Sequence, residues 1–222
     1  MRFIRAEIAV GERQLSQQLT KSLSDRKRTL WLISGGSNIA ISTRVMAGLP
    51  QNLTARLSIR LSDERYGPAG HADSNTQQLL DAGFKLKDAT FTPVIQGESL
   101  DLTLKSYSDD ISRQFDQSEV IIAQLGIGPD GHTAGILPNS IAAQPSHQLV
   151  VSYQAADFRR LTLSFKALAQ IDTAFVFAYG AAKKPALEQL RDQNLSLARQ
   201  PAQILKRISR AYIYNDSVEG ES

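Results

Sequence analysis

The sequence contains no cysteine, and only three of its 222 residues are histidines: His71, His132 and His147. The absence of cysteine excludes disulfide bonds, thiolate metal ligands and cysteine nucleophiles. A zinc site without cysteine would need nearly all of these histidines, which are widely separated along the chain. We therefore predict a protein without a metal or another cofactor.

Long apolar segments are also absent. No apolar run approaches the roughly 18 residues of a membrane span, and residues 1–7 lack the apolar core of a signal peptide. We therefore expect a cytoplasmic protein with no membrane role. The hydrophobic content of 42% and charged content of 21% are ordinary for a globular protein. With no internal repeat or linker-like stretch, the length predicts a single domain over residues 1–222.

The net charge is small, at +3. The basic residues are spread along the chain, without interleaved aromatic residues or a recognisable nucleic-acid motif. We therefore expect no nucleic-acid partner. A small anionic ligand needs only two or three of these cations, and most of the others are expected to be solvated surface charges.

Short apolar segments alternate with longer helical patterns. We predict strands at residues 29–33, 56–61, 120–125, 174–179 and 211–214, and helices up to about residue 46, after residue 73, at 100–115 and at 184–192. Residues 120–125 are apolar on both faces, as is typical of a central parallel strand. The alternation predicts an α/β fold, a Rossmann-like and mostly parallel sheet with helices on both faces. Ligands bind such sheets beyond the carboxyl ends of the strands.

The first candidate site is the glycine turn, Ser-Gly-Gly-Ser-Asn at residues 34–38, which follows the first predicted strand. Glycines let the backbone approach a ligand closely, and the start of the next helix directs amide donors at an anion. Ser34, Gly35, Gly36 and Ser37 are therefore predicted to bind phosphate. The alternative is an ordinary strand-to-helix turn, capped by Ser37 or Asn38.

A second candidate, Asp63-Glu64-Arg65, follows the next predicted strand. Carboxylates and an arginine at a strand end are costly to bury unless they are paired. The planar guanidinium of Arg65 suits a phosphate or carboxylate. All three residues are predicted to contact a ligand, and a surface ion pair is the alternative.

The most specific signal is the histidine loop, residues 126–138, which contains four glycines and two prolines. Such a loop is irregular and presents backbone donors, with Gly128 and Gly131 as predicted ligand contacts. It also carries Asp130 and His132, and imidazole is the natural proton carrier near neutral pH. A structural histidine is the alternative.

Two cations complete the candidate site. Arg160 stands at the start of a strand-like segment, and Lys183 stands at the opening of the helix predicted at 184–192. Both are hypothesised to hold a phosphate above the glycine turn. The alternative, if each cation is considered alone, is an ordinary charge on the protein surface.

Taken in order, these motifs resemble those of the 6-phosphogluconolactonase family over residues 30–214. The shared features are Ser-Gly-Gly-Ser, Asp-Glu-Arg with a later Ser-Asn, Gly-x-Gly-x-Asp-Gly-His-Thr-Ala, Arg-x-Thr-Leu and Gly-x-x-Lys. Three departures stand out: Asn38 replaces the family's usual threonine, Tyr66-Gly67 replaces a tryptophan-valine type of pair, and Gly135-Ile136-Leu137 replaces Ser-Leu-Phe.

The resemblance implies a fold of the sugar-phosphate isomerase type. It also implies metal-free hydrolysis of 6-phospho-D-glucono-1,5-lactone to 6-phosphogluconate, a step of the oxidative pentose phosphate pathway. His132 would be the catalytic base, with Arg65 and Asp130 beside it or beside the reacting carbonyl. Amides of residues 126–131, with Arg65, would stabilise the oxyanion. The remaining motif residues would surround the ligand, chiefly its phosphate.

Two other functions stay open at this stage. A glucosamine-6-phosphate deaminase/isomerase shares the fold, but in that family an Asn-Glu pair follows the histidine, whereas Thr133 follows His132 here. A non-catalytic sugar-phosphate-binding regulator would bind the same ligand without turnover. The partner in each case is a small sugar phosphate, and we expect a monomer or a weak homo-oligomer.

Overall fold

Apolar segments of the chain form the centre of a mostly parallel sheet in the computed structural model, which describes residues 1–221. The strands are β1 (Arg2–Arg5), β2 (Thr29–Ile33), β3 (Leu57–Leu61), β4 (Asp63–Tyr66), β5 (Thr90–Phe91), β6 (Val120–Gly126), β7 (Val150–Gln154), β8 (Arg159–Leu163), β9 (Thr173–Phe177), β10 (Arg210–Asn215) and β11 (Gly220–Glu221). The helices are α1 (Ile8–Ser24), α2 (Ile39–Gly48), α3 (Asn75–Asp81), α4 (Leu100–Gln117), α5 (Phe165–Leu168) and α6 (Lys184–Asp192). Short 3₁₀ helices cover residues 36–38, 51–56, 141–143, 181–183 and 201–207.

The main sheet has the order β11-β1-β10-β9-β6-β2-β3-β5. Its strands are parallel except for β11, which pairs with β1 in the antiparallel sense. The chain moves towards one edge from β1 to β5 and then returns through β6, β9 and β10. Because such crossovers are right-handed, α1, α2 and α3 lie on one face, and α4 and α6 lie on the other. The predicted α/β fold is confirmed.

The reversal of direction falls between β2 and β6, which are neighbours in the sheet. The chain continues from β2 towards one edge of the sheet and from β6 towards the other edge. A crevice therefore opens at their carboxyl ends, and such a switch point is where open α/β sheets bind ligands. The glycine turn follows β2 and the histidine loop begins at the end of β6, so both border the crevice.

A second sheet, antiparallel and of order β4-β8-β7, adjoins the first. The sequence pattern indicated a strand only for β8. β4 reads Asp-Glu-Arg-Tyr, without the apolar alternation that marks a half-buried strand, because its surroundings are polar groups of the site. β1 and α1 were also not predicted, although α1 buries an apolar stripe that includes Leu15, Leu19 and Leu23.

The predicted elements of the main sheet agree with the structure. Residues 29–33 and 184–192 coincide with β2 and α6, and the other predicted strands differ by one or two residues at their ends. Among residues 1–221, no helix has both the length and the apolar character that crossing a bilayer requires.

Candidate active site

A cavity of about 230 Å³ occupies the crevice at the switch point. Its walls come from the glycine turn, β4, the histidine loop, β8 and the turn before α6. The lining residues are Ser34, Gly35, Gly36, Ser37, Asn38, Asp63, Arg65, Gly126, Ile127, Gly128, Pro129, His132, Ala134, Arg160 and Lys183. The fold thus brings segments that are far apart in the sequence into one cavity.

The glycine turn depends on its two glycines for different reasons. A Cβ atom at Gly35 would lie 1.9 Å from Oδ1 of Asn75, the first residue of α3, so no larger residue fits there. Gly36 has a φ of 60°, a left-handed conformation that glycine adopts without strain. The turn is therefore packed tightly against α3 while its tip, Gly36 and Ser37, stays exposed.

A chain of hydrogen bonds connects the glycine turn to β4. The Ser34 and Ser62 hydroxyls are 2.9 Å apart, and Ser62 donates to Asp63 Oδ1 at 3.0 Å. Asn75 Nδ2 donates to the Asp63 carbonyl at 2.9 Å. Asp63 is therefore fixed in orientation at the pocket wall, and the Ser34 hydroxyl serves mainly to hold it.

Glu64 does not line the cavity, contrary to the ligand contact expected for it. Its fully buried carboxylate accepts hydrogen bonds from the amides of Arg65, Asn75 and Thr76 and from the hydroxyls of Ser74 and Thr76, at 2.6–3.1 Å. Burial raises the pKa of Glu64, and the backbone donors oppose that rise. Adjacent strand residues point to opposite faces, so Glu64 points away from the face of β4 that borders the cavity. Its carboxylate instead joins β4 to the start of α3.

Arg65 and Arg160 are direct cross-strand partners on β4 and β8. Like charges in this position repel one another. Arg65 Nη1 donates to the Asp73 carbonyl at 2.9 Å, and Arg160 Nη2 donates to Asp157 Oδ2 at 2.7 Å. The Nε atom of each arginine is buried, and within residues 1–221 neither has a partner. Since a buried, unpaired donor costs about 1–3 kcal/mol, the two guanidinium groups favour negatively charged groups of a ligand beside them.

His132 is oriented by its neighbour Asp130. Its Nδ1 atom lies 2.6 Å from Asp130 Oδ1, which also accepts from the His132 amide at 3.1 Å. Partial burial acts to raise the pKa of Asp130, but the hydrogen bonds from His132 outweigh it and lower that pKa. A Cβ atom at Gly128 would lie 2.1 Å from the imidazole, so this glycine is required for the ring to occupy its position.

The backbone donors of the histidine loop are largely used within the loop. The Gly128 amide donates to the His132 carbonyl, and the Gly131 amide donates to the Gly128 carbonyl, both at 3.0 Å. Gly131 lies outside the cavity wall with a φ of 81°, packed beside Gln200. The expected oxyanion role of these loop amides therefore has no geometric support for Gly128 and Gly131.

Lys183 lines the cavity from the turn that precedes α6. Burial lowers the pKa of its ammonium group, and the charge of Asp216 opposes that effect. Arg160 lines this cavity, whereas its neighbour Arg159 lines a different one near Leu137, as the alternation along a strand requires.

Several residues of the cavity were not among the predicted site residues: Asn38, Gly126, Ile127, Pro129 and Ala134. They nevertheless lie within predicted segments: Asn38 belongs to the glycine turn and the other four belong to the histidine loop, where the amides of residues 126–131 were expected to stabilise the oxyanion. His71 stands behind the site, with Nε2 2.9 Å from the Arg65 carbonyl. Residues 1–221 hold no group of three or more histidine, aspartate or glutamate side chains that could bind a metal.

The fold and the cavity define an α/β protein with a cation-rich pocket at the sheet's switch point, suited to a small anionic ligand. Residues 6–213 match the family model described as glucosamine-6-phosphate isomerases/6-phosphogluconolactonase, and the chain belongs to this family. The resemblance read from the motifs is thereby confirmed.

Individual relatives agree with this assignment. A Helicobacter pylori protein named 6-phosphogluconolactonase is 30% identical over 165 residues, which cover 70% of each chain. One from Caulobacter vibrioides is 29% identical over 196 residues, or 81% of each chain. The structure of 6-phosphogluconolactonase from Leishmania guyanensis has a TM-score of 0.80 at 18% identity, covering 100% of this chain and 98% of that one. At that identity the structural likeness concerns the fold.

Proposed function

We propose that this protein hydrolyses 6-phospho-D-glucono-1,5-lactone to 6-phosphogluconate, with His132 as the general base. The observation that carries the proposal is that His132, oriented by Asp130, lines the same cavity as two arginines whose Nε atoms have no partner within residues 1–221. The names of the relatives supply the substrate class, since all those described above are 6-phosphogluconolactonases.

The hydrogen bond to Asp130 determines which imidazole nitrogen acts. With the ionised carboxylate accepting from Nδ1–H, the lone pair of the neutral ring is on Nε2. Nε2 can then take a proton from water as the water attacks C1 of the lactone. The imidazolium that forms is stabilised by Asp130 and returns the proton to the ring oxygen as the C1–O bond breaks.

The cations anchor the phosphate and the developing negative charge. Arg160 and Lys183 hold the phosphate with the amides at the start of α2. Arg65 stabilises the oxyanion at C1, in place of the loop amides that are already bonded. The reaction needs no covalent intermediate and no redox step.

The test is a lactonase assay at neutral pH. The lactone is generated in situ, and its product is coupled to 6-phosphogluconate dehydrogenase. Replacement of His132 by alanine should reduce the enzymatic rate by about 10²- to 10⁴-fold, the usual contribution of a general base. The matched control is His147→Ala, because His147 is exposed and lies outside the cavity.

The proposal fails if wild-type protein does not exceed the spontaneous rate of hydrolysis. It also fails in its catalytic detail if the His132→Ala and His147→Ala variants are equally active. Release of ammonia from glucosamine 6-phosphate by the wild type would instead indicate a deaminase.

A further inference from the structure

A buried side-chain amide lies in the middle of β6, directly beneath the cavity. Gln124 has no exposed surface, and its chain neighbours Ala123 and Leu125 are fully buried as well. An amide in such surroundings is unfavourable unless both of its ends are hydrogen-bonded. The partners of Gln124 therefore explain why the core retains a polar group here.

Both ends of the Gln124 amide are bonded to residues at the start of α2. The buried Ser42 hydroxyl donates to Oε1 at 2.6 Å. Nε2 donates to the Asn38 carbonyl at 2.9 Å and lies 3.3 Å from Asn38 Oδ1. Since Nε2 is a donor, the oxygen of the Asn38 amide must face Gln124. The orientation of the Asn38 side chain is thereby determined.

The Nδ2 group of Asn38 consequently faces the opposite way. A Cβ atom at Gly126 would lie 2.7 Å from Nδ2, so the amide stands over the end of β6. Asn38 and Gly126 both line the cavity, where the glycine turn and the histidine loop diverge. Within residues 1–221, Nδ2 donates to no protein acceptor. A donor of fixed direction that borders the cavity is thus available to a ligand.

We propose that Asn38 is a specificity-determining residue whose Nδ2 group donates a hydrogen bond to the phosphate of the ligand. Gln124 and Ser42 act as positioning residues that hold the Asn38 amide. This inference rests on the proposed function insofar as it takes the ligand to be a phosphorylated sugar. The arginines attract any anion, whereas a neutral donor of fixed direction favours one with an oxygen at that point.

The experiment measures binding rather than turnover. Affinities for 6-phosphogluconate and for inorganic phosphate are determined by isothermal titration calorimetry. Asn38→Ala should weaken both by about tenfold, the lower end of the contribution of a hydrogen bond to a charged group. Asn38→Asp keeps the shape and the anchored oxygen but replaces the donor with a charged acceptor, so it should weaken both by about a hundredfold.

A variant behind the site tests the positioning role. Gln124→Met keeps the length of the side chain but leaves the Asn38 amide free to rotate, and we expect about a threefold loss of both affinities, because the donor is retained. The matched control is Thr173→Val at the amino end of β9, since Thr173 is also buried but lies outside this network. Thermal denaturation verifies that every variant is folded.

Unchanged affinities in folded Asn38→Ala and Asn38→Asp would overturn the proposal. A loss for 6-phosphogluconate without a loss for inorganic phosphate would overturn the assignment to the phosphate group. If wild type binds 6-phosphogluconate but hydrolyses no lactone, the proposed function fails while the role of Asn38 is still decided by binding. If wild type binds neither probe, this inference fails as well.

Discussion

Arg60 and Arg65 stand on consecutive strands, β3 and β4, yet the protein holds them in opposite ways. Arg60 is buried with Asp110: Nε and Nη2 both bond to that carboxylate, and Nη1 donates to the Ile59 carbonyl at 2.7 Å. Arg65 faces a second arginine, Arg160, and both keep a buried Nε atom that has no partner in the described part of the chain.

The difference separates a cation that is paired within the protein from two that we propose to bind the ligand. The Arg60 guanidinium is neutralised within the protein and leaves little capacity for a ligand. Arg160 is paired with Asp157 on one side, but the Nε atoms of both arginines keep hydrogen-bonding capacity for an anion that enters from the cavity. A sequence alone presents all three residues as arginines near strand ends, so only their partners distinguish them.

The largest expected effect concerns the Arg60–Asp110 pair. Arg60→Met leaves Asp110 buried with only the half-exposed Arg113 as a counter-charge, and should lower the free energy of unfolding by about 3–5 kcal/mol. Urea denaturation measures this. The double variant Arg60→Met/Asp110→Leu should recover most of the loss, because replacing a whole buried pair by apolar side chains is often neutral. A double variant no more stable than the single one would contradict this account of the Arg60–Asp110 pair.

The two arginines that border the cavity, Arg65 and Arg160, should respond in the opposite sense: substitution should weaken ligand binding and leave the stability of the protein unchanged. Arg160→Met removes the proposed ligand contact and relieves repulsion with Arg65, so KM for the lactone should rise by about 10- to 100-fold without loss of stability. Steady-state kinetics and urea denaturation of the same variant check both parts. Arg159→Met is the matched control, because Arg159 lines a different cavity. If Arg160→Met were as destabilised as Arg60→Met, the distinction between the two arginines would be wrong.

The smallest effect concerns Lys183, the third cation of the cavity. Burial lowers the pKa of Lys183, so its ammonium group loses its proton at a lower pH than an ordinary lysine. Affinity for 6-phosphogluconate should therefore decline as the pH rises from 7 towards about 10, the ordinary range of lysine. Lys183→Arg stays charged throughout and should flatten this decline. Calorimetry at several pH values measures it, and the same slope in both proteins would show that Lys183 does not contact the ligand.

Much of the main sheet could be predicted because its signals are local. Residues 120–125 are apolar except for Gln124, and the turn after residue 33 contains two glycines; both features depend only on neighbouring residues. The second sheet could not be predicted in the same way. β4 is stabilised by pairing with β8, about 100 residues further along the chain, and its charged residues are accommodated by the site.

The candidate site was predicted in part. Its glycine turn, His132 with Asp130, Arg65, Arg160 and Lys183 were identified from motifs, and the structure places all of them in or beside one cavity. Glu64 was expected to contact the ligand, but its carboxylate joins α3 to β4. Which face of β4 borders the cavity depends on pairing with β8, so adjacent residues could not be assigned to it in advance.

By itself, the sequence determined the class of fold, the family and the chemical groups available, because turns, strands and the acid–base residues are local features of the chain. Only the tertiary structure decided which groups are free to act. It satisfies Arg60 and Glu64 within the protein, leaves Arg65 and Arg160 open towards the cavity, and directs Asn38 through the buried amide of Gln124. The physical reason is that hydrogen-bond capacity is filled by partners from distant segments, which come together only when the sheets assemble.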